Sequence, residues 1–214
     1  MTYEEQLLNR LEKSIVIIHF EKGSAGSLLH RIIAHSESFY WHKWYNNKHD
    51  HNSLTWLNIS DEEDNTNKYT CHVNYSWLDE IKKNIMSQIL IIKAIKSNKR
   101  IIIKTHEDIV RQLNKNIKII RIVGDANKLN RIKLRETLAG EFNPSTNNLK
   151  LDDLSNKFLK PIIEPNTYNL NINNLVDENY DIFEKEYLEL CINLNIVPDI
   201  KPVRAFILKW FSLQ

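Results

Sequence analysis

Glycine and proline are scarce in this 214-residue chain, with four of the first and five of the second. That excludes collagen-like and low-complexity Pro/Gly architectures. Cysteine is nearly missing as well. Cys71 and Cys191 lie far apart and form no CxxC pair, so a disulfide scaffold and a cysteine-rich zinc site are both unexpected, and a reducing cytoplasm is the expected compartment. Long apolar runs are absent: the stretch Ile89 to Ile92 is far too short to span a bilayer, and no membrane partner is expected. The N-terminal MTYEEQLLNRLEK is charged and helical in pattern, unlike a secretory signal. Excess charge of one sign is also lacking. Lys and Arg number 29 against 27 Asp and Glu, a net charge of +2, which argues against a histone-like nucleic-acid binder.

What is present suffices for a core. Apolar residues make up 42% and charged residues 26%, too hydrophobic for general disorder. The length suits one domain, 1–214. Isoleucine (29) and asparagine (26) are enriched, a bias expected of AT-rich coding in a virus, phage or low-GC microbe. Many surface Asn and Lys residues, and the sequons at Asn58 and Asn74, then reflect composition.

Thr2 to Lys13 reads as a short amphipathic helix carrying Leu7, Leu8 and Leu11 on one face. Ser14 to Phe20 (SIVIIHF) is a β-branched run, the mark of a strand buried on both faces. The small-residue loop EKGSAGS and an apolar-periodic stretch, Leu28 to His35, follow. Residues 36–78 differ in character, with clustered aromatics, His42, His49, His51 and the acidic DEEDNTN, and are expected to form a lid or insertion. Helical patterning resumes over Asp79 to Lys96. A second buried strand, Arg100 to Lys104, precedes a short helix over Glu107 to Leu113. A third strand, Ile117 to Val123, leads to a basic helix from Asn127 to Leu138. The segment Asn143 to Pro165 is polar and irregular. Tyr168 to Ile172 reads as a fourth strand, and Tyr180 to Leu194 and Pro202 to Phe211 as closing helices. Alternating strands and helices predict an α/β fold of three layers around a central, mostly parallel sheet.

Three places follow strand ends, where open α/β sheets take ligands. In Lys22-Gly23-Ser24-Ala25-Gly26-Ser27, small residues let backbone amides converge on a phosphate, and Lys22 adds a point charge. The loop is not a Walker A motif, because GxxxxGK[ST] is missing. In Lys104-Thr105-His106, the histidine has a pKa suited to accept a hydroxyl proton. Behind the third strand, Arg131 and Arg135 stand one helical turn apart and form a candidate anion clamp. The histidines of 42–51 match no standard zinc spacing, so no metal is expected there.

Order and spacing together resemble the sulfotransferase family, which uses 3′-phosphoadenosine 5′-phosphosulfate (PAPS). Setting Lys22 on the lysine of the family's PKSGTTW-type loop aligns Gly23 to Ser27 without a gap and brings Leu28 onto the family's leucine. IIIKTHEDIV stands where the cytosolic branch has KTHLP, IKIIRIV matches the strand of the form VKVVYVAR, and NNLVDEN after Tyr168 to Ile172 looks like the family's YEDL-type turn. The resemblance implies a P-loop NTPase-like fold. It also implies a 5′-phosphosulfate site at Lys22, Gly23, Ser24, Ala25, Gly26 and Ser27, with Lys22 and His106 catalytic and His106 the base. The sequence departs from the pattern at the 3′-phosphate site: Gly124 stands at the family's arginine, Ile132 at its serine, and the GxxGxWK segment is missing. Arg121, Arg131 or Arg135 is then the expected replacement. The implied activity is sulfuryl transfer from PAPS to a hydroxyl acceptor, small molecule or glycan, leaving 3′-phosphoadenosine 5′-phosphate (PAP), with no metal and no nucleic-acid partner. The alternative is a non-catalytic descendant of the fold that binds a nucleotide, glycan or protein. A kinase would need a GK[ST] loop and a Mg²⁺ carboxylate, and neither is evident.

Overall fold

A computed structural model describes residues 6, 9–10, 12–21, 24–34, 36–39, 42–43, 68–69, 92–105, 116–129, 131–132 and 157–212. In chain order the elements are β1 (Ile15–His19), α1 (Gly26–Ala34), the two-residue strands β2 (His42–Lys43) and β3 (Lys68–Tyr69), β4 (Ile101–Thr105) and β5 (Lys118–Val123). A 3-10 turn (Ala126–Lys128), β6 (Thr167–Asn171), α2 (Asn173–Val176), α3 (Tyr180–Leu194) and α4 (Ile200–Phe211) complete them. The expected helix 107–113, most of the insertion 36–78, and parts of the helices expected over 2–13, 79–96 and 127–138 lie outside the described residues.

β1, β4, β5 and β6 form one all-parallel sheet in the order β4-β1-β5-β6. The fold is α/β, as the alternation of patterns predicts. All five residues of β1 are buried, which is what a central parallel strand requires of a β-branched run. Register across the sheet is direct: His19 lies opposite Thr105 on one side and Arg121 on the other, and Arg121 lies opposite Asn169.

The two faces differ. Val16 and Ile18 of β1, Ile120 and Ile122 of β5 and Leu170 of β6 belong to one buried cluster. Leu28, Leu29 and Ile32 of α1, Phe183, Tyr187 and Leu190 of α3, and Trp210 of α4 join them there. Each fully buried Leu, Ile or Phe contributes roughly 1.5–3 kcal/mol. The alternate residues, Ile15, Ile17, His19, Ile119 and Arg121, are buried on the other face, which turns polar toward the strand C-termini.

Helix ends follow local chemistry. The Asn179 side chain caps α3 by accepting from the Ile182 amide. Asn195, at φ 52°, closes it as the Ile196 amide reaches the Cys191 carbonyl at 2.9 Å. α4 begins two residues before the expected Pro202 because a first-turn proline has no intrahelical bond to lose. The basic segment after β5 opens as a 3-10 turn, with Asp125 accepting from the Asn127 amide at 2.9 Å. In the 36–78 segment, β2 and β3 pair antiparallel, His42 opposite Tyr69. No helix among the described residues is long and apolar enough to cross a membrane.

Gly26 is a steric requirement. A Cβ there would lie 2.0 Å from Cδ2 of Phe20 and 2.2 Å from its Cγ, so the whole ring would have to move. Gly26→Ala is expected to cost about 1–3 kcal/mol in urea unfolding, with partial recovery when Phe20→Leu is added. An unchanged midpoint would contradict the packing.

Glu186 on α3 accepts from the Asn174 side chain at 2.9 Å, yet burial holds its carboxyl above the usual range. A carboxyl with a raised folded pKa binds its proton more tightly when folded, so its contribution improves as pH falls and worsens as pH rises. Glu186→Gln should therefore raise the urea midpoint at pH 7. That gain should vanish near pH 4, roughly the unfolded carboxyl pKa.

Candidate functional site

The C-terminal edge of the sheet is where the chain leaves β1 for α1. Past His19 and Phe20 the backbone turns at once. The Ser24 amide donates to the Glu21 carbonyl at 3.1 Å, and the Ser24 hydroxyl donates to the same oxygen at 2.7 Å. Ala25 is fully buried at φ 58°, the left-handed region that non-glycine residues occupy at a cost of about 1–3 kcal/mol. Its carbonyl then accepts the Leu29 amide at 3.0 Å and starts the helix. Gly26, Ser27 and Leu28 form the first turn, where amides have no carbonyl inside the helix. No acidic residue stands in that turn, so the positive end of the helix dipole is not offset from within it.

Ser24, Ala25, Gly26 and the Ser27 backbone thus come together as a strand–turn–helix unit. The Ser24 amide points back to Glu21, and the first helical turn that follows is packed against the Phe20 ring at Gly26. Lys22 and Gly23 lie outside the described residues, as do His106 and Arg135. The chain nevertheless reaches residue 106 directly from Thr105, the last residue of β4 and the register partner of His19. The two segments singled out from the sequence therefore leave neighbouring strands at one edge.

The arginines part company. Arg121 is buried on the second face of the sheet, where its Nε donates to the Lys160 carbonyl at 2.6 Å and its NH1 stands 3.0 Å from Nδ1 of His19. A guanidinium can only donate, so Nδ1 accepts and the His19 ring proton sits on Nε2. Beside this pair, Asn169 copies a strand pairing with Ile162. Its Nδ2 donates to the Ile162 carbonyl at 2.8 Å, and its Oδ1 accepts the Ile162 amide at 3.1 Å. Arg131 is exposed, with NH2 4.0 Å from Oε1 of Glu178, and Lys128 pairs with Asp177. The basic segment after β5 therefore faces the acidic end of NNLVDEN.

The positions of departure are closed by packing. A Cβ on Gly124 would meet the Phe158 ring at 2.8 Å and the Asn173 Oδ1 at 3.1 Å. Ile132 is fully buried in the core. No group of three or more His, Cys, Asp or Glu side chains is placed to hold a metal among the described residues. Comparison with models of known families, with curated proteins and with solved structures finds no match for this chain.

His19 escaped the sequence reading, although the signal was there. It is a histidine ending a run of buried β-branched residues, the same reason that drew attention to His106. What the run does not disclose is that an arginine from the neighbouring strand meets it in register.

Arg121 and Arg131 make a direct comparison. Arg121→Gln leaves the Lys160 carbonyl and the His19 ring with poorer partners, and should cost about 1.5–3 kcal/mol in chemical unfolding. Arg131→Gln, exposed and weakly paired, should stay within about 0.5 kcal/mol of wild type. Equal effects would mean that Arg121 is not held as described.

Proposed function

We propose that this edge is the donor site of a sulfotransferase-like domain of P-loop NTPase type, three-layered about its parallel sheet. The domain would transfer a sulfuryl group from PAPS to the hydroxyl of a small molecule or glycan. The observation that carries this is the β1–α1 unit at the topological switch of the sheet. From β1 the chain leaves toward β4, from the adjacent β5 it leaves toward β6, and ligands of open α/β sheets sit in the crevice where connections diverge in this way. At that crevice the first-turn amides of α1 and Lys22 would neutralise the 5′-phosphate. His106, next along from Thr105, would take the proton of the acceptor hydroxyl. The acceptor oxygen forms the new S–O bond as the bond from sulfur to the phosphate oxygen breaks, and PAP leaves with the charge that the amides and Lys22 offset.

A second reading, a descendant that binds a nucleotide, glycan or protein without turnover, is favoured by Gly124 and Ile132. Phe158 and Asn173 leave no room for a side chain at the first, and the second is buried in the core.

A thermal-shift series with PAPS, PAP, ATP and ADP, paired with a sulfuryl-transfer assay, separates the two. A ligand at a hundredfold over its dissociation constant adds about 2.7 kcal/mol of apparent stability. PAP should raise the melting temperature of wild type. Lys22→Ala should lose most of that shift with little change in its own stability. His106→Ala should keep the shift and lose transfer, because the base touches the acceptor and not the nucleotide. Nucleotide binding without transfer in wild type assigns the second reading. No shift with any of the four overturns the donor site.

A further inference from the structure

At the opposite end of the sheet, the starts of β1 and β4 lie side by side. The Ile101 amide donates to the Ser14 carbonyl at 2.7 Å, and the Arg100 amide donates to the Ser38 carbonyl at 2.9 Å. Above this floor opens a cavity of about 600 Å³, within the size range of small-molecule sites. Four cations line it: Arg10, Lys13, Lys99 and Arg100. Among the described residues no carboxylate does. In a chain whose charges nearly balance, 29 against 27, four positive side chains and no negative one among the described residues around a single cavity is a marked local departure.

None of these cations has a carboxylate partner among the described residues. Among the described residues the ion pairs are Lys128 with Asp177 and Arg131 with Glu178, and none of the four joins one. Arg100 is tied differently, donating through NH1 to the Leu194 carbonyl at the end of α3. Its burial pulls the guanidinium below its usual range, as expected where a cation is drawn from water without a carboxylate beside it. The neighbouring donors fit the same chemistry. Asn98 and Asn195, both in the left-handed region at φ 51° and 52°, bring the turn after residues 92–96 and the end of α3 to the cavity wall.

We infer that this cavity binds a small polyanion, a molecule carrying two or more phosphate or sulfate groups, at a site separate from the C-terminal edge of the sheet. Converging like charges repel one another, and a multiply charged anion relieves that repulsion at several points at once. Arg10 and Arg100 offer planar forks suited to phosphate or sulfate oxygens, and Lys13 and Lys99 offer point charges. A cavity of about 600 Å³ suits a compact ligand better than an extended nucleic-acid backbone.

Isothermal titration of the full chain with inorganic tripolyphosphate, at low ionic strength, tests this. The Lys22→Ala variant serves as background so that the other edge of the sheet does not contribute. Binding should persist in that background and weaken at least tenfold when Lys13→Gln and Lys99→Gln are added. Neither lysine side chain forms a hydrogen bond or ion pair with a described residue, and a melting curve checks that the variant is folded. Arg10→Gln, exposed, gives an independent second variant with the same expected direction. The inference is overturned if tripolyphosphate does not bind the Lys22→Ala protein, or if binding there ignores all three substitutions. A single-stranded oligonucleotide that binds through the same cations at least tenfold tighter than tripolyphosphate would also overturn the small-molecule assignment. Failure here leaves the PAP titration untouched, and failure of PAP binding leaves this titration interpretable.

Discussion

The in-register pairing of β1 with β4 and β5 is the constraint on which the rest depends. β1 is buried along its full length and bonded on both edges. Its register fixes which residues reach each face and which loops share each end. A slip of one residue would carry Val16 and Ile18 away from the helices and turn His19 toward the apolar core. That alternative is expensive, because a buried ring nitrogen without a donor or acceptor costs about 1–3 kcal/mol. The β-branched side chains and the polar row at the strand ends therefore select the same arrangement.

Parallel pairing also gives the sheet two chemically different ends. At the C-terminal end the β1–α1 turn presents the amides of a helix start, held in place by the Ser24–Glu21 bonds and by the contact of Phe20 with Gly26. At the N-terminal end the starts of β1 and β4 gather side-chain cations around a cavity. One end offers backbone dipoles and the other offers formal charges.

The second face of the sheet shows how a segment without regular secondary structure finds its place. Residues 157–165 lie against it through backbone groups: the Lys160 carbonyl takes a bond from Arg121, and both the amide and the carbonyl of Ile162 pair with Asn169. Ile163 is fully exposed, so hydrophobic burial is not what holds the middle of this segment. Directional bonds from a buried arginine and a strand asparagine do so instead.

Much of the architecture was legible in the sequence because it follows from local pattern. The runs SIVIIHF, RIIIK and IKIIRIV became β1, β4 and β5, and the 3.6-residue periodicity of Tyr180 to Leu194 became α3 with those bounds. The strand–turn–helix at Ser24 to Ser27 was equally readable, since small residues after a buried strand have few other uses. Side-chain partnership across strands was not legible. The resemblance made Arg121 one of three candidates to replace the family's arginine, and its alternation with Ile120 and Ile122 says only that it faces away from them. Register then placed it against His19, 102 positions earlier in the chain, and beneath the Lys160 carbonyl. The cluster of Arg10, Lys13, Lys99 and Arg100 stayed hidden for the same reason. Its members sit in two basic stretches that each look like ordinary solvated surface, and only the pairing of β1 with β4 brings them around one cavity. Periodicity is a property of neighbours along the chain, whereas charge convergence depends on distances that only the folded sheet sets.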